Sequence, residues 1–480
     1  MSTRIPLHDL PEALEPLLPW IGTWLDGSES QAPESPVEVL KHSALRLVLR
    51  VPDPGRGSYI LKLYRRKGGL EALRSLWLRS RALRERRILE EAAQRQIPCP
   101  GVIDAGHSAG RMPELGWLLL EDLGGGESLD AIHRGRGLTV EELTACAELL
   151  KTCLDAGLHH RDLHLGNLYR KDVGELFLLD LHSADFRERT SSRHPRDFRP
   201  LYLSFPWPWQ RSARRALLNP LGLPADPPEL ASWRQHWLRR RLRRCLRDSG
   251  AFYWRDGVGQ TRSTSFSRDE LLQALDSSQE RKTGRRGQVR RGPLGIHKTR
   301  KAARTRQLWL AAEALDLREI PHPAAIAIWP LPDGSACILS QELEGAREIP
   351  SVDASDMPAL AADLGRSFGR LHGTGWRFRD ARGDNFLVLH GRVHFVDLDG
   401  CSPLPAFRSE SACAADLGRL LAWLLHQAPP QLQSRADELG RLFLRHYARE
   451  RRALDGEPWA LHSLCTKIAL RSQAWRAGHK

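Results

Sequence analysis

The sequence predicts an α+β protein made of two tandem copies of one domain, each a small strand-rich part followed by a larger helical part. Three observations predict it. The chain has 480 residues, too many for one ordinary core. Two segments about 218 residues apart carry the same polar residues at nearly the same spacing. In the first copy, strand-like runs come before most of the long helical stretches, with a glycine-rich hinge between the two parts.

The repeat is read directly. Residues 158–180 run LHHRDLHLGNLYRKDVGELFLLD and residues 376–397 run WRFRDARGDNFLVLHGRVHFVD. Asp162 pairs with Asp380, Asn167 with Asn385 and Asp180 with Asp397, at offsets of 218, 218 and 217. Upstream, Ile97-Pro-Cys-Pro answers Ile320-Pro-His-Pro; downstream, Asp197 answers Asp416. These landmarks predict domains over 1–250 and 251–480.

Within copy one, residues 1–34 are expected to be helical and punctuated by proline. Two strands are expected at Leu45–Val51 and Tyr59–Tyr64, joined by the hairpin chemistry of Pro52-Asp-Pro-Gly-Arg-Gly. A helix is expected from about Leu70 to Arg95, stopped by Pro98 and Pro100. A further strand, Trp117–Leu120, runs into Glu121-Asp-Leu-Gly-Gly-Gly, and a helix follows over Val140–Ala156.

Composition bounds the function. Apolar residues at 41% supply a core and exclude global disorder. Seventy-two Lys and Arg against 58 Asp and Glu leave +14, which points to an anionic partner. Eight scattered cysteines without a CxxC argue against a disulfide framework or structural zinc. No 18-residue apolar run and no signal-peptide pattern after Met1 are present, so a cytoplasmic location is expected.

Phosphoryl transfer from a nucleotide needs a lysine on the phosphates, an acid to orient it, a carboxylate to accept the hydroxyl proton, and oxygen ligands for a hard divalent ion. Copy one supplies these in order: Lys62 near a strand end, Glu85 on the next helix, Asp162 in His160-Arg-Asp, Asn167 five residues on, and Asp180 closing an apolar run. Taken singly, Lys62 also reads as an edge-strand charge and Glu85 as a solvated helix residue.

The run His160-Arg-Asp-Leu-His-Leu-Gly-Asn167 resembles the catalytic loop of bacterial small-molecule and lipopolysaccharide kinases in the protein-kinase-like superfamily. With Ser58–Tyr64 and the arginine-rich helix before Ile97, it resembles the lipopolysaccharide core kinases that phosphorylate heptose or Kdo (3-deoxy-manno-octulosonic acid). The resemblance implies two tandem bilobal kinase-like domains and ATP and Mg2+ as cofactors. It makes Asp162 the base, Asn167 and Asp180 the metal ligands, and Lys62, Glu85 and Glu121 nucleotide-site residues. Asp197 is expected to brace the loop backbone. A GxGxxG turn is absent, and Lys41 or Ser43, in a turn before Leu45, is expected to assist at the phosphates.

Copy two keeps Asp380 as base and Asn385 and Asp397 as metal ligands, but Phe378 replaces the loop histidine. No clean strand ends in lysine. Lys282 is the best counterpart of Lys62, and Leu308 stands where counting places the acid. The expected partner is lipopolysaccharide core or a lipid-linked sugar, with peripheral contact to the anionic inner membrane; nucleic acid is disfavoured. The alternatives are a soluble alcohol such as an aminoglycoside, a protein hydroxyl, or a pseudokinase scaffold.

Two basic segments have two readings each. In residues 232–249 the Trp and Leu side chains form one helical face, either core or membrane-facing. Residues 281–306 are expected to be a mobile basic loop over an anionic substrate, or a nucleic-acid surface. His164 is read as a phosphate contact or a bond within the loop, Asp185 and Asp399 as turn residues, and Trp207 or Trp209 as a sugar-stacking ring.

Overall fold

The computed structural model describes residues 37–43, 45–53, 57–65, 80–107, 115–187, 194–249, 251–255, 257–261, 264, 266–284, 287–404, 409–455 and 466–469. The expected N-terminal helical segment, residues 70–79 of the expected 70–95 helix, and the hairpin tip at 54–56 lie outside them. The chain divides into two compact units, Met1–Trp233 and Arg234–Lys480. Both mix helix and sheet, as the α+β reading expects.

The first unit opens with β1 (Glu38–Ser43), β2 (Arg46–Asp53) and β3 (Gly57–Arg65), followed by α1 (Arg81–Gln94), β4 (Val102–His107) and β5 (Leu115–Glu121). They form one antiparallel sheet in the order β1-β2-β3-β5-β4. Strand alternation decides what faces what. Leu47, Leu49, Leu61, Leu63, Trp117 and Leu119 share one face and one small core. Each fully buried leucine there contributes about 2 kcal/mol. The residues between them, Arg46, Val48, Lys62 and Tyr64, therefore face the opposite side, where α1 lies. Ser80 caps α1 by accepting the Leu83 N–H at 3.3 Å, and Ala82, Glu85, Ile88, Leu89 and Ala92 turn inward. Apolar spacing on that helix thus buries one acid opposite one lysine.

The helical part holds α2 (Leu129–Arg136) and α3 (Val140–Asp155), the latter opened by a Thr139–Glu142 capping box with bonds of 3.2 and 2.9 Å. Strand β6 (Gly126–Ser128) pairs with β8 (Leu168–Lys171), which pairs with β9 (Leu176–Leu178), and β7 (Leu158–His160) pairs with β10 (Ala184–Phe186). Helices α4 (Arg211–Leu218) and α5 (Leu230–Leu242) follow. Trp207 is 1% exposed and its ring stacks on Trp209 at 5.2 Å, so Trp207 is a packing residue and not a sugar platform. Trp233, Leu238 and Cys245 of the basic 232–249 segment are buried, which supports its core reading.

The second unit contains β11 (Phe252–Arg255), β12 (Val258–Thr261), α6 (Arg268–Asp276), β13 (Gln279–Gly284), β14 (Gly287–Gly292), β15 (Gly295–Lys301), α7 (Ala302–Asp316), β16 (Ala325–Pro330) and β17 (Ser335–Ser340). The sheet order is β11-β12-β16-β17-β15-β14-β13. The described residues of the basic 281–301 stretch thus form strands β13, β14 and β15, not the expected loop. Its inward positions are polar: in β15 the buried residues are Gly295, His297 and Arg300, which hides the strand alternation. His297 is fully buried beside Trp329, and burial pushes its pKa down to about 4.

Helix α8 (Met357–Gly373) leads to β19 (Trp376–Phe378), which pairs with β22 (Cys401–Pro403); between them β20 (Phe386–Leu389) pairs with β21 (Arg392–Phe395) and with β18 (Arg347–Glu348). Helices α9 (Glu410–His426) and α10 (Ala436–Asp455) complete the unit. Gly365 and Gly369 let α8 and α10 approach closely, since a Cβ at Gly365 would fall 2.4 Å from the Phe443 carbonyl oxygen.

Candidate active site

Lys62 is 7% exposed and its Nζ lies 2.6 Å from Glu85 Oε1 and 3.9 Å from Asp180 Oδ1. The Tyr64 hydroxyl donates to the other Glu85 oxygen. Glu85 is completely buried, so its two polar partners are what make its charge tolerable there. Arg46 Nη1 donates to Asp180 Oδ2 at 2.9 Å, and His182 Nδ1 sits 2.7 Å from Oδ1. Burial opposes ionisation of Asp180, but the His182 bond and the Lys62 and Arg46 charges outweigh it and hold its pKa far below the usual carboxylate range. Asp180 adopts φ 63°, ψ 49°, a left-handed conformation uncommon outside glycine, of the kind that clusters at functional sites.

The loop between β7 and β8 carries the remaining residues. Asn167 Nδ2 donates to the Asp162 carbonyl at 2.9 Å, leaving its amide oxygen as the ligand-capable atom. The Asp162 N–H donates to His160 Nδ1 at 3.2 Å, and burial lowers the His160 pKa, keeping that ring a neutral acceptor. His164 accepts the Gly166 N–H at 3.0 Å, the loop bond among its two readings. The Asp162 carboxylate is exposed, with His164 Nε2 at 4.0 Å. Lys41 lies in β1 and not in the expected turn; loss of solvent beside the site and the Arg46 and Lys62 charges lower its pKa, outweighing the Asp180 and Asp162 charges that raise it. Glu121 is exposed at the end of β5, paired with Tyr59 of β3, and its neighbour Asp122 accepts from Arg50 at 2.7 Å and Ser58 at 2.5 Å.

Residues 34–218 match the family model described as Lipopolysaccharide kinase (Kdo/WaaP) family. The match lies within the first unit. The family is one of kinases, phosphotransferases with a sugar hydroxyl as acceptor, and Lys62, Glu85, Asp162, Asn167 and Asp180 all fall inside the matched residues. No curated protein matches the chain in sequence.

Outside the match, the second unit repeats the main-chain bonding of the Asp162 loop. Asn385 Nδ2 donates to the Asp380 carbonyl at 2.7 Å, as Asn167 does to Asp162. The Val396 N–H donates to Asn385 O at 3.0 Å, as Leu179 does to Asn167 O at 2.8 Å. The proline landmarks also correspond: Leu178 N–H reaches Pro98 O, and Phe395 N–H reaches Pro321 O, both at 2.9 Å.

The side chains differ. Lys282 does not occupy the Lys62 position. In the first unit Lys41, Val48 and Lys62 lie in register across β1, β2 and β3; in the second, Lys282, Val289 and Lys298 do so across β13, β14 and β15. Lys282 therefore matches Lys41, and Lys298 matches Lys62. Lys298 Nζ donates to Asp397 Oδ1 at 3.1 Å. Where Glu85 would orient the lysine, 11 residues before the left-handed Gln96, α7 has the buried Leu308, 11 residues before the left-handed Glu319. One turn earlier, Arg304 Nε donates to Asp399 Oδ1 at 2.8 Å, and Arg300 adds a second guanidinium 3.4 Å from Asp399. Asp399 is thus a buried ion-pair centre and not a plain turn residue. Asp380 has Arg382 Nε at 3.1 Å and Arg419 Nη1 at 3.8 Å.

The expected loop brace also differs between units. Asp416 is buried and accepts the Phe378 N–H at 3.0 Å, with Arg377 and His372 on the same carboxylate. Asp197 lies in a short turn, half exposed, and its nearest partner is His159 Nε2 at 4.0 Å. Tyr64, Arg46 and His182 were missed as site residues. Alternation along β2 and β3 would have placed Arg46 and Tyr64 beside Lys62.

Among the described residues, no helix is long and apolar enough to cross a membrane.

Proposed function

We propose that the first unit transfers the γ-phosphoryl group of ATP to a hydroxyl of heptose or Kdo in the lipopolysaccharide inner core. The buried Lys62–Glu85 pair beside the ionised Asp180 is the observation that carries this reading. Lys62 holds the phosphates, and Glu85 and Tyr64 fix the ammonium in place. Asp162 takes the proton of the sugar hydroxyl as its oxygen bonds to the γ-phosphorus; the bond to the β-phosphate oxygen breaks and ADP leaves. Asn167 and Asp180 are the residues that would hold Mg2+, and their hard oxygen donors fit it. The bound ion would neutralise charge on the β- and γ-phosphates. The +14 surplus supports a polyanionic, lipid-linked acceptor at an anionic membrane surface.

The second unit is read as a kinase-like domain that does not transfer. Asp380 is held by Arg382 and Arg419, and the lysine-orienting acid is replaced by the buried Leu308. Purified core oligosaccharide incubated with labelled ATP and Mg2+ tests the whole proposal. The wild-type protein should label a heptose or Kdo, mapped by mass spectrometry, and Asp162→Ala should not. Labelling unchanged by Asp162→Ala overturns it.

A further inference from the structure

We propose that an arginine-lined cleft of the first unit binds a phosphate monoester already carried by the acceptor. The inference rests on the kinase reading above and names its acceptor class. The cleft has a volume of about 780 Å3, within the range that takes a sugar-sized ligand. It is walled by α1, the end of α3, the loop residue next to Asp162 and the segment that follows His182.

The charge of the wall selects the ligand. Arg84, Arg87, Arg95, Arg161 and Arg187 face Glu91, Asp155 and Asp185, which leaves an excess of +2. Glu91 holds Arg95 at 2.6 Å, and Asp185 holds Arg161 at 3.2 Å and Arg187 at 3.0 Å. Among the described residues, Arg84 donates only to the His182 carbonyl, at 2.5 Å, and Arg87 has no ion pair. A phosphate monoester carries about −1.5 to −2 at neutral pH, which matches that excess, whereas a single carboxylate leaves half of it uncovered. Guanidinium forks also suit phosphate geometry. Ser183 supplies a further donor: the residue lines the cleft, and its buried Oγ has no hydrogen-bond partner among the described residues.

Position links this site to the reaction. Arg161 immediately precedes Asp162, and Ser183 follows His182, which holds Asp180. A phosphate seated here anchors the acceptor beside the residues that handle its hydroxyl.

The test uses the full-length protein and core oligosaccharide with or without prior alkaline phosphatase treatment. For the wild-type protein, KM should be at least tenfold lower for the phosphorylated acceptor. Arg87→Glu should erase that preference, leave KM for the dephosphorylated acceptor and for ATP unchanged, and be partly rescued by Arg87→Lys. Equal KM values for the two acceptors in the wild type, or an equal loss on both in the variant, overturn the proposal. Phosphate found by mass spectrometry on this chain itself, with no acceptor preference, overturns it in favour of an internal ligand. Labelling of neither acceptor defeats the kinase reading instead. The cleft is then judged by calorimetry with glucose 6-phosphate: binding lost in Arg87→Glu supports it, and no binding to the wild type removes it.

Discussion

The loop around Asp162 and the loop around Asp380 share a backbone and differ in charge. In both, an asparagine amide bonds the aspartate carbonyl, a following N–H returns to the asparagine carbonyl, and a proline carbonyl anchors the adjacent strand. These bonds use main chain and one amide, so they survive changes in the ionisable side chains around them. The ionisable groups have moved. In the first unit a helix acid holds the lysine and Asp162 is exposed; in the second a buried helix leucine, Leu308, stands there and two arginines hold Asp380. Frame and reactivity are therefore separable, and the frame alone is no sign of transfer.

The largest effect expected from that difference is on turnover. Asp162→Asn should lower phosphate transfer about a thousandfold, the scale of a lost general base, while Asp380→Asn should leave it within about twofold. Comparable losses from both would mean that the second loop also transfers.

Next in size is a pH effect confined to the second unit. Burial works against a charge on His372, but Cys413 and Asp416 outweigh it and raise its pKa from 6.5 to about 9. A raised histidine stabilises the fold fully below its unfolded pKa, and that contribution is lost as pH climbs through the folded value. Between pH 6.5 and 9 the second unit should lose about 3 kcal/mol, followed by calorimetry. The His372→Gln variant should lack this slope. A wild-type transition that is flat over the same window refutes the assignment.

How much of this was legible beforehand follows from what each residue does. The strands around Lys62, the helix holding Glu85 and the spacing of Asp162, Asn167 and Asp180 were legible, because alternation, helical period and fixed loop lengths leave marks in one chain. Lys298 was not. Its strand places Gly295, His297 and Arg300 inward, so apolar alternation is missing, and counting from Ile320 led to Lys282. Asp197 misled for a related reason: an equal offset does not carry equal burial, and only Asp416 is enclosed by its helix.

A smaller effect tests the lysine anchors. Breaking a fully stranded buried ion pair costs roughly 3–5 kcal/mol, but Asp180 lies 3.9 Å from Lys62, so Glu85→Gln should destabilise the first unit by about 2 kcal/mol. Urea unfolding measures it, and a loss below about 0.5 kcal/mol would show that Glu85 does not hold the lysine.

The smallest effect is the most discriminating for register. Lys298 is four-fifths buried and bonded to Asp397, whereas Lys282 is exposed on the edge strand β13. Lys298→Ala should therefore cost about 1 kcal/mol, the scale of a partly buried charged hydrogen bond. Lys282→Ala should change stability by less than about 0.5 kcal/mol, as expected at an exposed edge position. The reverse ranking would return Lys282 to the Lys62 position and undo the strand-by-strand correspondence on which the comparison of the two loops rests.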